Sequence, residues 1–300
     1  MKKLSFPVMV LIITTIFFSC AKTENPKFVE AENQWRKERD SRMRSEKSWL
    51  TIAGLYWLNE GNNRFGTSGD NEIIFPEAAD IDHAGSFRLE HGKVTFAPSS
   101  GSEISHDGSP AETMILNKDM DGKPDILSLG PLRFWVIQRE NRYAIRLRNL
   151  EAKRYTEYKE LHFYPARGEY RVKATLIPFD TVRTIMIPTI VGTEEAYRIP
   201  GKLEFTLHGK KLSLLPFEVE SNPLKYFIIV MDETSKEETY GAGRYMYVDI
   251  LPDGTVDLNF NRAYSPPCDY TPYATCPLAP QENVLDVRIE AGEKRYSLHD

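Results

Sequence analysis

The chain has 300 residues and a formal net charge of −5 at pH 7. That length is sufficient for one large domain or two medium ones, each with a hydrophobic core. No long basic run is present that could neutralise a row of phosphates, so the composition argues against a nucleic-acid partner.

The first twenty residues, MKKLSFPVMVLIITTIFFSC, combine two lysines, an apolar run and a terminal cysteine, which predicts a secretory signal over residues 1–20. Phe17-Phe18-Ser19-Cys20 resembles the lipobox of bacterial lipoproteins. The resemblance implies that Cys20 is lipidated and that the protein is anchored in the cell envelope. Ala21 stands where lipoproteins that are retained in the inner membrane have an aspartate. The resemblance therefore favours the outer membrane, with the protein facing the periplasm or the cell surface. An ordinary signal peptide that ends in a cysteine by chance is the alternative.

Beyond the signal the chain has two cysteines, Cys268 and Cys276. In an oxidising compartment, two cysteines eight residues apart predict a disulfide that closes the loop between them. A catalytic Cys268 is the alternative, but it would need a basic neighbour to lower its pKa.

Residues 21–54 are predicted to form a linker followed by an amphipathic helix. From Phe28 to Leu50 the sequence is rich in Arg, Lys and Glu, with Trp35, Met43 and Trp49 at roughly helical intervals. We expect the charged residues of this helix to form a solvated face with Glu–Arg pairs.

Residues 55–150 consist of short alternating runs broken by Gly, Asn, Asp and Pro, which predicts a β-sandwich. The segment ends in two paired strands, LRFWVIQRE and YAIRLRNL, joined at Asn141. Its opening resembles a forkhead-associated domain, through the strand-like GSFRLEHGKVTF and through Leu58, Gly61, Gly66, Asn71, Ile73, Phe75 and Pro76.

The phosphothreonine-binding residues of forkhead-associated domains are not present. Thr67 stands where that family has an arginine after the glycine, and Ile81-Asp82-His83-Ala84 does not match its Ser and His. Its Asn-Gly turn is also unmatched around Gly101. A phosphate clamp without these groups lacks its charge-assisted hydrogen bonds, so we expect a shared scaffold and no phosphothreonine peptide as partner.

One loop in the predicted sandwich has some features of a calcium-binding loop. Its oxygen-bearing side chains have calcium-loop spacing, and Gly122 supplies a sharp turn. Ser128 stands where a bidentate Glu is expected, so a solvated turn between two strands is the alternative. The candidate ligands are Asn117, Asp119, Asp121 and Asp125.

Residues 151–300 are predicted to form a second, larger β domain. Apolar and alternating runs are separated by turns at Gly168, Gly192, His208-Gly209 and Asp253-Gly254, and the last is a good hairpin signal. We expect one long, curved antiparallel sheet or a partly open barrel. The fold class is therefore mainly β, with one N-terminal helix.

The second β domain also contains the candidate site. In the strand TVDLNFN, a period of two places Asp257, Asn259 and Asn261 on one face. Polar groups on a strand are costly to bury without partners, so these face either a ligand or a hydrogen-bonded network that fixes the cysteine loop. The predicted ligand-binding residues are Tyr240, Arg244, Asp257, Asn259, Asn261, Tyr264, Thr271, Tyr273 and Asn283, with Arg262 beside them.

The same region resembles a family of uncharacterised bacterial secreted proteins and lipoproteins, known as a domain of unknown function. The resemblance extends over nearly the whole chain after the signal and implies no activity. It is carried by Asp232, Thr234, Ser235, Tyr240–Arg244, Asp257–Tyr264, Pro266-Pro267-Cys268, Cys276-Pro277-Leu278, Asn283 and Glu290–Glu293.

Three functions agree with these observations. The first is a lipid-anchored protein that binds a small polar ligand, such as a sugar or a carboxylate, through the tyrosines, Arg244, Asn259 and Asn261. The second is a hydrolase that uses Asp257 or Asp232 as a general base. The third is a structural protein that docks on an envelope partner through helix 28–50 or through the sandwich. No zinc, P-loop or G-x-S-x-G motif is present, so no cofactor is predicted.

Overall fold

The computed structural model describes residues 24–296. The predicted signal over residues 1–20 and its lipidated Cys20 lie outside the described residues. Within the described part of the chain, no helix combines the length and the apolar character needed to span a membrane.

The described chain begins with helix α1, Pro26–Met43. Asn25 caps its N-terminus by accepting a hydrogen bond from the Lys27 amide at 3.0 Å. The helix is shorter than the predicted 28–50 segment. Ser48 accepts a hydrogen bond from Leu50 N at 3.1 Å and so starts a separate 3₁₀ helix, Trp49–Thr51.

Two sheets form a β-sandwich between residues 52 and 149. The first has the strand order β1-β11-β10-β9-β6-β7 and the second has the order β3-β2-β4-β5-β8. The strands are β1 (Ile52–Trp57), β2 (Gly61–Gly66), β3 (Ile73–Ile74), β4 (Gly85–Glu90), β5 (Lys93–Pro98), β6 (Ser105–His106), β7 (Ser109–Pro110), β8 (Met114–Leu116), β9 (Leu127–Leu129), β10 (Leu132–Arg139) and β11 (Arg142–Asn149).

Aromatic side chains fill the space between these two sheets. Phe65, Phe87, Phe96 and Phe134 are fully buried, and the ring centroids of Phe65 and Phe87 lie 4.6 Å apart. Burying a phenylalanine side chain contributes about 2 kcal/mol. The sandwich therefore has a core of its own, as the alternating sequence pattern predicts.

The second half of the chain forms one seven-stranded antiparallel sheet with the order β14-β13-β12-β18-β17-β16-β15. The strands are β12 (Arg171–Pro188), β13 (Glu194–Leu207), β14 (Lys210–Leu214), β15 (Phe217–Glu218), β16 (Lys225–Val230), β17 (Arg244–Ile250) and β18 (Val256–Asn259). The predicted His208-Gly209 turn joins β13 to β14, with φ angles of +49° and +77°.

The seven-stranded sheet curls around a core that includes Leu203, Met246, Leu258 and Phe260. Between residues 55 and 296, the structure has one short α-helix, α2 (Lys153–Thr156). The prediction of a mainly β fold with one N-terminal helix and a larger curved sheet is therefore confirmed.

The two β regions contact each other through the cysteine loop. Thr271 Oγ1 donates to the Ile52 carbonyl at 2.9 Å, and Arg139 Nε donates to Thr275 Oγ1 at 3.2 Å. The loop after the last strands of the chain thus packs against the outer face of the sandwich.

Candidate functional site

Helix α1 is held on the second β region by a buried glutamate. Glu32 is fully buried, and its carboxylate accepts hydrogen bonds from Asn259 Nδ2 at 2.9 Å and from Arg262 Nε at 3.0 Å. The expectation of a wholly solvated charged face is therefore wrong for this helix. The charged pattern of α1 therefore includes side chains that form buried hydrogen bonds and ion pairs with the second β region.

Asn259 and Asn261 belong to the same hydrogen-bonded network. β18 ends at Asn259, whose Oδ1 accepts from the Asn261 amide at 3.2 Å and caps a 3₁₀ helix, Phe260–Arg262. Asn261 in turn accepts from Arg167 N and donates to Arg167 O, each at 2.9 Å. Both asparagines thus belong to a hydrogen-bonded network that ties the end of β18 to helix α1 and to Arg167.

A second buried charge of α1 lies two turns further along the same face of the helix. Arg39 is 4% exposed, and its Nε donates to Glu293 Oε2 at 3.1 Å. The Tyr270 hydroxyl donates to the other oxygen of Glu293. The Arg39 guanidinium also lies 4.6 Å from the ring centroid of Trp49 and 4.9 Å from that of Tyr264, which is cation–π geometry.

The carboxyl group of Glu293 is perturbed by this environment. Burial raises the pKa of Glu293 to about 7, although the Arg39 guanidinium acts in the opposite direction. Arg39, Glu293 and Tyr270 therefore form a buried group that can hold or release a proton near neutral pH.

A cleft of about 660 Å³ opens between the C-terminal end of α1 and strands β16 and β17 of the curved sheet. We call it the α1 cleft. Its aromatic walls are Trp35, Trp49, Tyr247 and Tyr264. The Trp49 and Tyr264 rings are stacked, with centroids 6.2 Å apart and planes inclined by 30°. Tyr247 is 53% exposed, so its ring is accessible from solvent.

The α1 cleft has an excess of positive charge. Its charged lining residues are Arg39, Arg42, Lys47, Lys225, Arg262 and Asp249. Arg262 is paired with Glu32, and Lys225 is paired with Asp249. Arg42 and Lys47 are exposed and have no carboxylate within ion-pair distance among residues 24–296. The cleft is thus basic, although the chain as a whole has a net charge of −5.

Tyr264 is the one predicted ligand-binding residue in the α1 cleft. Arg244 and Asn283 lie instead in the interior. Arg244 pairs with Asp232 at 2.5 Å and donates to the carbonyl groups of Ile289 and Ala291, which fixes the C-terminal segment. Asn283 Oδ1 accepts from Leu215 N at 2.6 Å, and its Nδ2 donates to two backbone carbonyls.

The two candidate general bases are both engaged. Asp232 is 5% exposed, and its Oδ1 accepts from the amides of Thr234 at 2.7 Å and Ile289 at 3.3 Å while Oδ2 binds Arg244. Asp257 forms a two-pronged ion pair with Arg171, with the shortest distance at 2.7 Å. Asp257 lies on β18 opposite Lys173 of β12.

The remaining predicted residues surround the cysteine loop. Thr271 is buried against β1. The ring centroid of Tyr273 lies 5.7 Å from the guanidinium carbon of Arg154. The hydroxyl of Tyr240 lies beside the Cys268 thiol, and burial raises the pKa of Tyr240. Cys268 and Cys276 are neighbours, with the Cys268 amide donating to the Cys276 sulfur at 3.2 Å, and both are free thiols.

The calcium-loop candidates do not converge. Asp119 binds Arg139 at 2.7 Å, Asp121 binds Lys118 at 3.1 Å, and Asp125 accepts from the Asn117 amide at 2.7 Å. Within residues 24–296, no three His, Cys, Asp or Glu side chains are grouped closely enough to hold a metal ion. These three carboxylates are engaged by neighbouring groups of the chain and not by one another.

Sequence reasoning missed most residues of the α1 cleft. Arg39, Arg42 and Lys47 were part of a charged helical pattern, which typically indicates a solvated face. The signal that could have found them is the placement of Trp35 and Trp49 within that charged run, since aromatic rings interleaved with cations are typical of binding surfaces.

These features define a mainly β protein in which an N-terminal helix closes a basic, aromatic cleft on a curved sheet. Residues 156–294 match the model of the family described as "Protein of unknown function (DUF1684)". The matched region is narrower than the nearly complete coverage that the sequence resemblance predicted. No curated protein matches the sequence.

Several solved structures are similar to parts of the chain. The solution NMR structure of an uncharacterized protein from Haloarcula marismortui is 30% identical, with a TM-score of 0.40, and the match covers 48% of this chain and 80% of that one. A forkhead-associated domain studied for phosphothreonine-dependent interactions is 18% identical, with a TM-score of 0.23, and covers 31% of this chain and 92% of its own. The FhaA forkhead-associated domain, solved with the intracellular domain of Rv3910, has the same identity and TM-score and is covered over 97% of its length.

Proposed function

We propose that this protein is a lipid-anchored protein of the cell envelope that binds a sugar carrying a carboxylate in the α1 cleft. The observation that carries the proposal is the cleft itself, whose lining combines the exposed cations Arg42 and Lys47 with the aromatic side chains of Trp49, Tyr247 and Tyr264. Aromatic faces pack against the apolar faces of sugar rings, and unpaired cations attract a carboxylate.

The signal pattern of residues 1–20 and the lipobox resemblance at Cys20 support the anchor and the outer-membrane location. In that oxidising compartment, we propose that Cys268 and Cys276 form a disulfide, since the Cys268 amide already contacts the Cys276 sulfur. The linker that follows the anchor would lead directly into α1. Only a short tether would therefore separate the α1 cleft from the membrane surface.

Two alternatives have less support. A hydrolase that uses Asp232 or Asp257 would need a carboxylate free to accept a proton from water, and both carboxylates are bound to arginines. A protein-docking role would be favoured by a large apolar patch around Trp35 and Trp49, but both side chains are half-buried.

Calorimetric titration of the purified protein with a hexuronic acid oligosaccharide tests the proposal. We expect the acidic sugar to bind more tightly than the matching neutral sugar. Lys47→Glu should weaken binding about five- to tenfold, because it replaces an exposed attraction with a repulsion. Lys202→Glu is the matched control, since Lys202 is also exposed and lies on β13, outside the cleft lining.

Three outcomes would contradict the proposal. They are the absence of binding by either sugar, equal affinity for the acidic and the neutral sugar, and the same loss of affinity in Lys47→Glu and Lys202→Glu. The third result would indicate an effect of overall charge rather than a site at α1.

A further inference from the structure

A second cavity, of about 330 Å³, lies between the outer face of the sandwich and the cysteine loop. We call it the arginine cavity. Trp49 borders both this cavity and the α1 cleft. Its polar lining includes Arg139, Arg146, Arg148, Glu195 and Thr275.

Strand alternation explains why arginines meet here. On β11, Ile145 and Leu147 point into the sandwich core and are fully buried, so Arg146 and Arg148 point to the opposite face. Arg146 lies directly across from Trp135 on β10. In an isolated sandwich this face would be in water, but the cysteine loop covers it.

The three arginines differ in how their charge is compensated. Arg139 forms an ion pair with Asp119 at 2.7 Å. Arg148 has neutral acceptors, Thr51 Oγ1 at 2.7 Å and the Ser48 carbonyl. The side chain of Arg146 forms no hydrogen bond or ion pair with any residue between 24 and 296, and its buried Nε has no partner, although the residue is only 7% exposed.

A buried guanidinium without an anion is costly to the fold, by several kcal/mol in typical proteins. Burial lowers the pKa of Arg146 to about 10, and the neighbouring Arg139 and Arg148 act in the same direction. Burial also lowers the pKa of Arg148 to about 10. Both groups therefore remain charged at neutral pH. The cavity lining has three arginines and two carboxylates, Asp119 and Glu195, and both carboxylates lie against Arg139, so an excess positive charge remains at Arg146 and Arg148.

We propose that the arginine cavity binds a small phosphate-type oxyanion, with Arg146 as its principal partner and Arg148 as a second donor. The planar guanidinium presents two parallel N–H groups to such an anion, which a lysine could not do. The anion would lie between β11 and the Ala274–Pro277 segment, so its binding would also tie the sandwich to the second β region.

Thermal unfolding of the purified full-length protein in inorganic phosphate, with chloride at matched ionic strength as reference, tests this inference. We expect the wild-type Tm to rise by about 2 to 5 °C at a phosphate concentration about ten times its Kd. Arg146→Met should lose this shift and should have an unchanged or higher Tm in chloride, because it removes an uncompensated buried charge. Arg146→Lys, which keeps the charge but not the planar fork, should show a smaller shift than the wild type.

Two control variants locate the effect. Arg198→Met removes an exposed arginine of β13 and should keep the full phosphate shift. Lys47→Glu should also keep it, because Lys47 lines the α1 cleft and not the arginine cavity. The inference is overturned if phosphate does not shift the wild-type Tm, if Arg146→Met retains the shift, or if Lys47→Glu abolishes it. The last result leaves the proposed function of the α1 cleft intact.

Discussion

The carboxyl group of Glu293 should make the stability of this protein depend on pH. Glu293 is fully buried, with Arg39 and Tyr270 as partners, and burial raises its pKa from 4.5 to about 7. In the unfolded chain the same group is solvated and titrates near its ordinary value. The folded state therefore binds the proton of Glu293 more tightly than the unfolded state does.

The sign of the effect follows from this difference. Below about pH 4.5 the group is protonated in both states, and its contribution to stability is fully present. As the pH rises towards 7, the unfolded chain releases the proton first, so the free energy of unfolding falls. The difference between a pKa of 4.5 and one of about 7 corresponds to a total loss of about 3 kcal/mol in the free energy of unfolding. About 2 kcal/mol of this loss occurs between pH 5 and pH 7.5.

Urea denaturation of the wild type and of Glu293→Gln at these two pH values measures the effect. The difference in unfolding free energy, wild type minus variant, should be about 2 kcal/mol smaller at pH 7.5 than at pH 5, because the variant has no titrating group at this position. Taking the difference removes contributions from other groups that both proteins share.

Glu290→Gln is the matched control, since Glu290 belongs to the same C-terminal segment but has a side chain that is 41% exposed. Its difference from the wild type should stay constant with pH within about 0.5 kcal/mol. A constant difference for Glu293→Gln, or one that grows with pH, would refute the reasoning. It would mean that the ion pair with Arg39 outweighs burial.

Two further predictions concern the interior of the second β region. Asn283→Ala should lower the free energy of unfolding by about 2 to 4 kcal/mol in urea denaturation, because it leaves buried backbone groups of Leu215 and Ile229 without partners. Asn33→Ala, at an exposed position of α1, is the control and should change the free energy of unfolding by less than about 0.5 kcal/mol. Oxidised glutathione should convert Cys268 and Cys276 to an intramolecular disulfide, seen by mass spectrometry as protection of both thiols from alkylation. Labelling of both thiols after oxidation would contradict the second prediction.

Local sequence patterns were sufficient for the secondary structure of most of the chain. Alternating runs located the paired strands β10 and β11, and the His208-Gly209 turn located the β13–β14 hairpin, because these elements depend on neighbouring residues. The end of α1 was less predictable. The charged pattern continues to Leu50, but Ser48 caps a new 3₁₀ helix and so interrupts it.

The candidate site could be predicted only in part. The polar residues around β18 were recognised as a set that must have partners, and Tyr264 does line the α1 cleft. Which partner each residue has depends on segments far apart in sequence. Glu32 reaches Asn259 across 227 positions, and Arg39 reaches Glu293 across 254.

The sequence by itself determined that this protein is mainly β, that one helix precedes two β regions, and where its turns lie, since these follow from local spacing and backbone preference. Only the tertiary structure decided which charges are buried. A glutamate or arginine on a helix looks solvated in sequence, and its burial depends on whether folding brings a neutralising partner within a few ångströms. For Glu32 and Arg39 folding supplies that partner, whereas for Arg146 it supplies a cavity.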